Sequence, residues 1–290
     1  MKEFVIVTDT TTDLPREYVE KHHLYMMSLP YTLEGTSYTL ENPMPVKEFY
    51  DKMRAGSLPT TSQANPEEAA TLYESILKEN DVDILHIAFS SGLSGSFNSC
   101  RIAAADVCEK YPDRRIVVVD SLAATLGQGL LVYKAVQLKE AGKNLDEIAA
   151  WLEENKYHLV HNFTVDDLFH LHRGGRLSKT AAIVGTMINL KPVLHVDDEG
   201  HLVMLSKVRG RKKSLIGLVD CMEKQLGDWK DKNDIIFISH GDCPEDAQFV
   251  ADLIKERFGY ENFMIDYIGA TIGAHSGPGT VALFYMGDHR

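Results

Sequence analysis

Hydroxyl groups and glycines cluster in the stretch 90–96, which reads Ser-Ser-Gly-Leu-Ser-Gly-Ser. It follows the strand-like apolar run 83–89 and precedes a sequence typical of a helix. Glycine lets the backbone bend tightly beside a ligand, and a helix N-terminus offers free N–H groups and a positive dipole. We therefore predict that Ser94, Gly95 and Ser96 bind an anion. Capping of the helix by serines, without any ligand, is the alternative that this motif alone favours.

A second hydroxyl-rich stretch precedes the helix predicted for residues 66–79. Asn65 and Pro66 are typical of a helix start, as N-cap and first helical residue. They leave the hydroxyls of Thr61 and Ser62 without a role. These two side chains are further candidates for binding an anion.

A single histidine, His275, lies among three glycines in the stretch 272–280. We predict that this stretch is a loop leading into the last strand. The glycines allow the backbone to approach a ligand, and an imidazole can donate a hydrogen bond in either protonation state. His275 is therefore the histidine we predict to bind the anion.

Size and charge restrict the function. The chain has 290 residues, 44% of them hydrophobic, which is enough for two domains. Its formal net charge of −12 argues against a general nucleic-acid-binding protein, which would need a basic surface. The apolar run 4–7 is too short for a signal peptide or a membrane span. We expect a cytoplasmic protein that does not insert stably into a membrane.

The first half of the chain alternates strand-like and helix-like segments. Apolar runs at 4–9, 83–89 and 115–121 each lead into polar residues. This alternation predicts a mostly parallel sheet flanked by helices. Ligands of such sheets bind beyond the carboxyl ends of the strands, which is where the stretch 90–96 lies. Helices are predicted at 15–23, 46–55, 66–79, 97–111, 122–141 and 144–155.

The pattern changes after residue 156. Strand-like runs on either side of 197–200 predict a β-hairpin, and the remaining segments mix strands with helices. We predict an α/β domain at 1–156 and an α+β domain at 157–290, with the ligand between them. Helices of the second domain are predicted at 166–172, 180–188, 210–226 and 245–258.

Two other chemistries remain open from the residues alone. Ser94 or Ser96 with His275 could form an acyl hydrolase, although 92–96 fails the nucleophile-elbow pattern because its last residue is serine. A metal site lacks a carboxylate or cysteine to complete a recognisable set, so we expect none. The candidate metal ligands would be His161, His170 and His172.

Taken together, the motifs resemble the DegV family of bacterial fatty-acid-binding proteins. The stretch 8–15 also fits that family, except that Thr10 stands where a serine is usual. Ser96 and Ala64 replace a usual threonine and a usual proline. The four motifs that carry the resemblance are Thr61-Ser62-Gln63, Ser90 to Ser96, Gly174 to Lys179, and Gly273 to Gly279.

The resemblance implies two α/β domains that hold one long-chain fatty acid between them. It also implies a protein that is not itself a catalyst and needs no cofactor. Members of the family serve as the binding subunit of a bacterial fatty acid kinase. They present the carboxyl group to a separate ATP-using kinase subunit, which makes an acyl phosphate for phospholipid synthesis.

We hypothesise that the carboxylate lies at the helix N-terminus after Ser94. Thr61 and Ser94 would donate hydroxyl hydrogen bonds, and His275 would donate a ring N–H. Gly95 and Ser96 would donate backbone N–H groups. Further candidates are Ser62 and Ser91.

The acyl chain is expected to enter an apolar tunnel between the domains. The apolar stretch 180–190 is a candidate wall, although plain core packing explains it equally well. Burying methylenes is worth about 0.8 kcal/mol each, so we expect the tail to supply most of the affinity. The predicted wall residues are Ile183, Met187 and Ile188.

Basic residues cluster between 207 and 213 on this acidic chain. Positive charge at a helix start is slightly unfavourable, which suggests another use for it. We predict that Arg209 and Arg211 dock the kinase partner. A solvated helix start is the alternative.

Overall fold

The computed structural model describes residues 2–177 and 190–290. Within them the chain forms three sheets. The strands are β1 (Phe4–Asp9), β2 (Tyr25–Met27), β3 (Tyr31–Leu33), β4 (Thr36–Tyr38), β5 (Thr60–Thr61), β6 (Asp83–Ala88), β7 (Ile116–Asp120), β8 (Leu159–Thr164), β9 (Leu190–Val196), β10 (Leu202–Arg209), β11 (Ile236–His240), β12 (Phe263–Tyr267) and β13 (Val281–Met286).

Helices cover the sheets and connect their strands. No helix in the described ranges is both long and apolar enough to cross a lipid bilayer. The helices are α1 (Arg16–Lys21), α2 (Val46–Arg54), α3 (Pro66–Glu79), α4 (Ser96–Lys110), α5 (Leu126–Glu140), α6 (Leu145–Asn155), α7 (Phe169–Arg173), α8 (Arg211–Gln225), α9 (Pro244–Phe258) and α10 (Ala270–Ser276).

The first sheet is fully parallel and has the strand order β2-β1-β6-β7. Every residue of β6 is buried, as expected of a strand covered on both faces. The ends of β1, β6 and β7 meet at one edge, because Thr8 pairs with Ile87 and Ala88 with Asp120. The predicted parallel sheet with flanking helices is confirmed.

The second sheet has six strands in the order β10-β9-β8-β13-β11-β12. Only the β11–β12 pair is parallel among these neighbours. Strands β9 and β10 form the predicted hairpin, and Gly200 at its turn has a φ of 79°. The strands of the parallel sheet all precede residue 121, and those of the six-stranded sheet all follow residue 158. The domain boundary between residues 156 and 157 stays a prediction.

A small third sheet has the strand order β4-β3-β5. Tyr31 of β3 pairs with Thr61 of β5. This pairing fixes the face of the small sheet to which the Thr61 side chain points, because side chains alternate between the two faces along a strand.

Helix α5 lies between the parallel sheet and the six-stranded sheet. Its residues 126–132 are all buried, and it contacts β6, β8, β11 and β13. It begins four residues later than predicted, because Leu122 and Thr125 have φ values of 50° and 49°, which a helix excludes. One apolar core therefore joins both sheets and contains, among others, Leu85, Leu130, Phe163 and Phe284.

The tip of the β9–β10 hairpin packs on the turn after β6. The Ser90 hydroxyl donates to the Gly200 carbonyl over 3.0 Å, and the Ser90 carbonyl accepts from the N–H groups of Leu93 and Ser94 at 3.1 Å. A Cβ on Gly92 would lie 2.5 Å from the Glu199 carbonyl oxygen. Glycine at position 92 thus permits the hairpin to touch the turn that carries Ser94.

We predict that Gly92→Ala lowers the free energy of unfolding by about 1–3 kcal/mol, the usual cost of overpacking. Backbone atoms of the hairpin tip would have to retreat from the new methyl group. Chemical denaturation measures the change. The control is Ser91→Ala, because Ser91 is exposed on the same turn. Equal stability of the two variants would contradict close packing at this contact.

Candidate functional site

A cavity opens between the two larger sheets. Its empty space, including open solvent at the mouth, is about 730 Å³. Hydroxyl, imidazole and guanidinium groups line one end. The apolar lining residues are Leu29, Phe89, Leu93, Ala124, Phe163, Leu171, Leu202, Ile268, Ile272 and Ala282. Such a cavity suits a ligand with a long apolar part and a polar end.

His275 lines this cavity from the last turn of α10, not from a loop. The predicted loop was wrong, because Gly273 lies within a helix and does not interrupt it. A Cβ on Gly273 would lie 2.6 Å from the Tyr50 hydroxyl oxygen. Glycine at position 273 therefore lets α10 approach α2 closely.

Thr61 and His275 are in direct contact. The Thr61 Oγ1 atom lies 2.7 Å from Nε2 of His275. Burial, and then the positive charges of Arg176 and Arg173, lower the pKa of His275 to about 4, so the ring is neutral at pH 7. In the tautomer protonated on Nε2, the ring donates to Thr61, whose own proton is then available to a ligand.

Ser94 lines the cavity, while Ser96 lies behind it. Ser96 is fully buried, and its hydroxyl accepts from the Ala64 N–H at 3.0 Å. The Ser96 N–H donates to the Ser94 hydroxyl at 3.2 Å, and the two Oγ atoms are 2.9 Å apart. Ser96 therefore holds Ser94 in position.

The remaining predicted anion ligands differ in their placement. Ser62 lines the cavity and is exposed. Gly95 is exposed but is not part of the lining, and a Cβ there would lie 2.3 Å from Oε1 of Gln63. Ser91 is exposed as well, and its N–H donates to Asp120 at 3.1 Å. The structure thus brings Thr61, Ser62, Ser94 and His275 to one cavity.

Arg176 completes the polar end, and Arg173 lies near His275 without lining the cavity; sequence reasoning missed both. Arg176 lines the cavity, and its side chain donates to the carbonyls of Leu93 at 3.1 Å and Gly174 at 2.5 Å. Arg173 donates to the carbonyls of Pro59 at 2.8 Å and Ala274 at 3.0 Å. Their signal was the sequence Arg-Gly-Gly-Arg at 173–176.

No carboxylate in the described part of the chain neutralises these two arginines. None of the Asp and Glu side chains in the described ranges forms a salt bridge with Arg173 or Arg176, and residues 178–189 contain no Asp or Glu. Burial lowers the pKa of both guanidinium groups, yet arginine stays charged at neutral pH. The polar end of the cavity is therefore cationic.

Several cavity atoms lack a hydrogen-bond partner among the described residues. They include the Ser276 hydroxyl and Nδ1 of His161, both in buried residues. The predicted wall residues Ile183, Met187 and Ile188 lie outside the described part of the chain.

Comparison with known proteins identifies the family. A sequence profile of the DegV family matches residues 3–288. The chain belongs to the DegV family. A DegV domain-containing protein of Clostridium perfringens is 46% identical over 100% of this chain and 99% of its own. The resemblance predicted from the motifs is confirmed.

Solved structures of similar proteins share the fold. DegV of Bacillus subtilis, a fatty-acid-binding protein, is 31% identical with a TM-score of 0.85, over 99% of this chain and 100% of its own. A stearic-acid-binding protein from Eubacterium ventriosum is 25% identical with a TM-score of 0.87, over 98% of each chain.

This DegV chain does not assemble a Ser-His-acid triad among its described residues. Nε2 of His275 contacts Thr61, and no hydrogen bond in the described ranges joins the ring to Ser94 or Ser96. Nδ1 of His275 has no partner there, and a Cβ on Gly174 would lie 2.0 Å from it. An imidazole with a pKa of about 4 is also a weak general base at pH 7.

A buried group of potential metal ligands occurs elsewhere in the DegV fold, at Asp9, His86 and Cys100. Burial opposes the charged form of His86, but the hydrogen bond to Asp9, the negative charge of Asp9 and the neighbouring Cys100 together outweigh burial and raise the pKa of His86 to about 10. Asp9 also accepts from the N–H of Phe89 and the amide of Gln128. These bonds account for the group as an internal ion pair.

We predict that His275→Gln makes stability less sensitive to acid. The lowered pKa of His275 means that the unfolded chain binds its proton first, so the wild type loses stability as pH falls from 6.5 to 4. The difference between wild type and variant should shift by about 3 kcal/mol across that window. Urea denaturation at several pH values measures it. Parallel pH curves would contradict a buried neutral ring.

Proposed function

We propose that this DegV protein binds a long-chain fatty acid, with the carboxylate at the cationic end of the cavity and the acyl chain in its apolar part. The observation that carries the proposal is the charge of Arg176 in the cavity lining with that of Arg173 nearby, neither of which a described carboxylate neutralises. A cavity with a positive end and apolar walls calls for an amphiphilic anion. The fatty-acid-binding DegV protein of Bacillus subtilis supports this choice.

Hydroxyl groups would complete the carboxylate site. Thr61 and Ser94 line the cavity and would donate to the carboxylate oxygens, and the unpartnered hydroxyl of Ser276 would be a third donor. His275 would orient the Thr61 proton through their 2.7 Å contact. Arg176 would supply the charge from a side chain that its two carbonyl contacts hold in place.

Magnitudes divide the work between tail and head group. Burial of a long acyl chain at about 0.8 kcal/mol per methylene contributes on the order of 10 kcal/mol before the costs of binding. Hydrogen bonds to a charged group add roughly 1.5–3 kcal/mol each, offset by desolvation of the carboxylate. The tail would therefore supply most of the affinity, and the head-group site would fix orientation.

Solvent extraction of the purified protein, followed by mass spectrometry, tests the proposal directly. A near-stoichiometric fatty acid is expected and would give its length and unsaturation. A protein that carries no lipid and takes up no added fatty acid would overturn the proposal.

The role of charge is tested with Arg176→Gln, which keeps an amide donor and removes the cation. We predict that its affinity for octadecanoic acid falls about tenfold or more, while its affinity for octadecanol stays the same. Competition with a fluorescent fatty acid measures both ligands. The matched control is Arg16→Gln, because Arg16 is exposed on α1. Equal losses for acid and alcohol would mean damage to the cavity instead.

We further propose that the bound carboxylate is presented to a separate ATP-dependent kinase, which makes an acyl phosphate for phospholipid synthesis. Ser62 and Gly95 are exposed beside the polar end of the cavity, so a phosphate donor could approach from solvent. The family resemblance suggests the partner.

The basic cluster between 207 and 213 is a suitable docking surface for the kinase. Arg211 forms ion pairs with Asp246 at 2.8 Å and Asp166 at 3.7 Å, so it is less available than the exposed Arg209 and Lys212. Asp166 also lies close to Gly279 in the loop after α10, because a Cβ on Gly279 would be 2.4 Å from Oδ2 of Asp166. Asp166 therefore connects the basic cluster to the loop that follows His275.

We predict that Arg209→Glu combined with Lys212→Glu slows kinase-dependent acyl phosphate formation by about tenfold or more. Fatty acid binding should not change. Lys21→Glu is the control, because Lys21 is exposed on α1. Unaltered coupling in the double variant would exclude this docking surface.

Ser94→Ala, in contrast, should slow phosphorylation more than it weakens binding of the fatty acid.

A further inference from the structure

His161 is a polar residue in the apolar part of the cavity. It lies on β8 and lines the cavity with Phe163 from the same face of the strand. Only 4% of its surface is exposed. Aromatic rings surround it, with centroid distances of 4.5 Å to Phe284 and 5.8 Å to Phe163.

Neither ring nitrogen of His161 forms a hydrogen bond with another residue in 2–177 or 190–290, and Nδ1 is fully enclosed without a partner. Burial, and then the charges of Arg290 and His195, lower the pKa of His161 to about 3. The ring is therefore neutral at pH 7 and offers one N–H donor and one bare nitrogen acceptor. Thr125, which also lines the cavity, has its hydroxyl 2.9 Å from that of Ser239.

The strand register gives the depth of His161 below the polar end. His161 pairs with Phe284 of β13. Thr280 lies four residues before Phe284, and its hydroxyl donates to the carbonyls of Ser276 and Gly277, which follow His275 in the chain. Four residues of strand span about 13 Å. An extended acyl chain with C–C bonds of roughly 1.5 Å would cover that distance with about ten carbons.

We propose that the preferred ligand is a fatty acid with a hydroxyl group near the middle of its chain, hydrogen-bonded to His161. A hydroxyl both donates and accepts, so it can pair with Nε2 of His161 in either tautomer. A saturated unsubstituted chain would leave Nε2 without a hydrogen bond in the apolar part of the cavity, which is unfavourable. This inference rests on the proposed function and names its substrate class.

Competition titrations with four acids test the inference: octadecanoic acid and its 2-, 10- and 18-hydroxy derivatives. For the wild type, the 10-hydroxy acid is expected to bind more tightly than octadecanoic acid, because only its hydroxyl meets His161. The 2-hydroxy and 18-hydroxy acids are expected to bind about tenfold more weakly than the 10-hydroxy acid, because their hydroxyls lose water without meeting His161.

His161→Phe should abolish this preference. Its affinity for the 10-hydroxy acid should fall about tenfold, with octadecanoic acid unaffected. Phe163→Leu is the matched variant on the same face of β8, and it should weaken all four acids alike. ¹⁵N-edited NMR of the imidazole gives a second readout, since the His161 resonances should shift with the 10-hydroxy acid only.

The outcomes separate the two proposals. Binding of octadecanoic acid with no gain for the 10-hydroxy acid over the 18-hydroxy acid would overturn the inference and leave fatty acid binding standing. Binding of none of the four acids would overturn both. A preference for the 10-hydroxy acid that survives in His161→Phe would also overturn the role of His161.

Discussion

Burial of α5 between two sheets is the constraint on which the rest of the fold depends. The first half of this helix, residues 126–132, is buried throughout, so the parallel sheet and the six-stranded sheet are both needed to enclose it. Glycines allow the approach: a Cβ on Gly127 would lie 2.8 Å from the Phe284 ring, and one on Gly129 would lie 2.9 Å from the Thr12 carbonyl oxygen. The residues just before α5, Ala124 and Thr125, line the cavity.

The cavity combines this apolar packing with charge. Backbone carbonyls satisfy the hydrogen bonds of Arg173 and Arg176 without cancelling their charge, because a carbonyl carries only a dipole. Burial, and then the same charges, lower the pKa of His275 and keep its ring neutral. The polar end is thus attractive to an anion and has few acidic competitors of its own.

Local patterns in the sequence predicted much of the fold. Helix α3 has its predicted bounds, and Asn65 caps it through a capping box with Glu68, because caps depend on neighbouring residues. The arginine pair and the role of Ser96 could not be predicted, since they depend on which groups tertiary packing brings near. The start of α5 was predicted wrongly for a similar reason. Thr125 has a positive φ, which threonine does not prefer, and the hydrogen bond between its hydroxyl and that of Ser239 on β11 holds it there.

The position of the charged groups at the exposed end has a consequence for ligand exchange. With Ser62 and Gly95 open to solvent beside them, an acid held as proposed would enter tail first and leave head first. Its slowest step would then be withdrawal of methylenes from the apolar interior into water. Residence time would rise with chain length, while the carboxylate would stay within reach of solvent during the whole time that the tail remains enclosed.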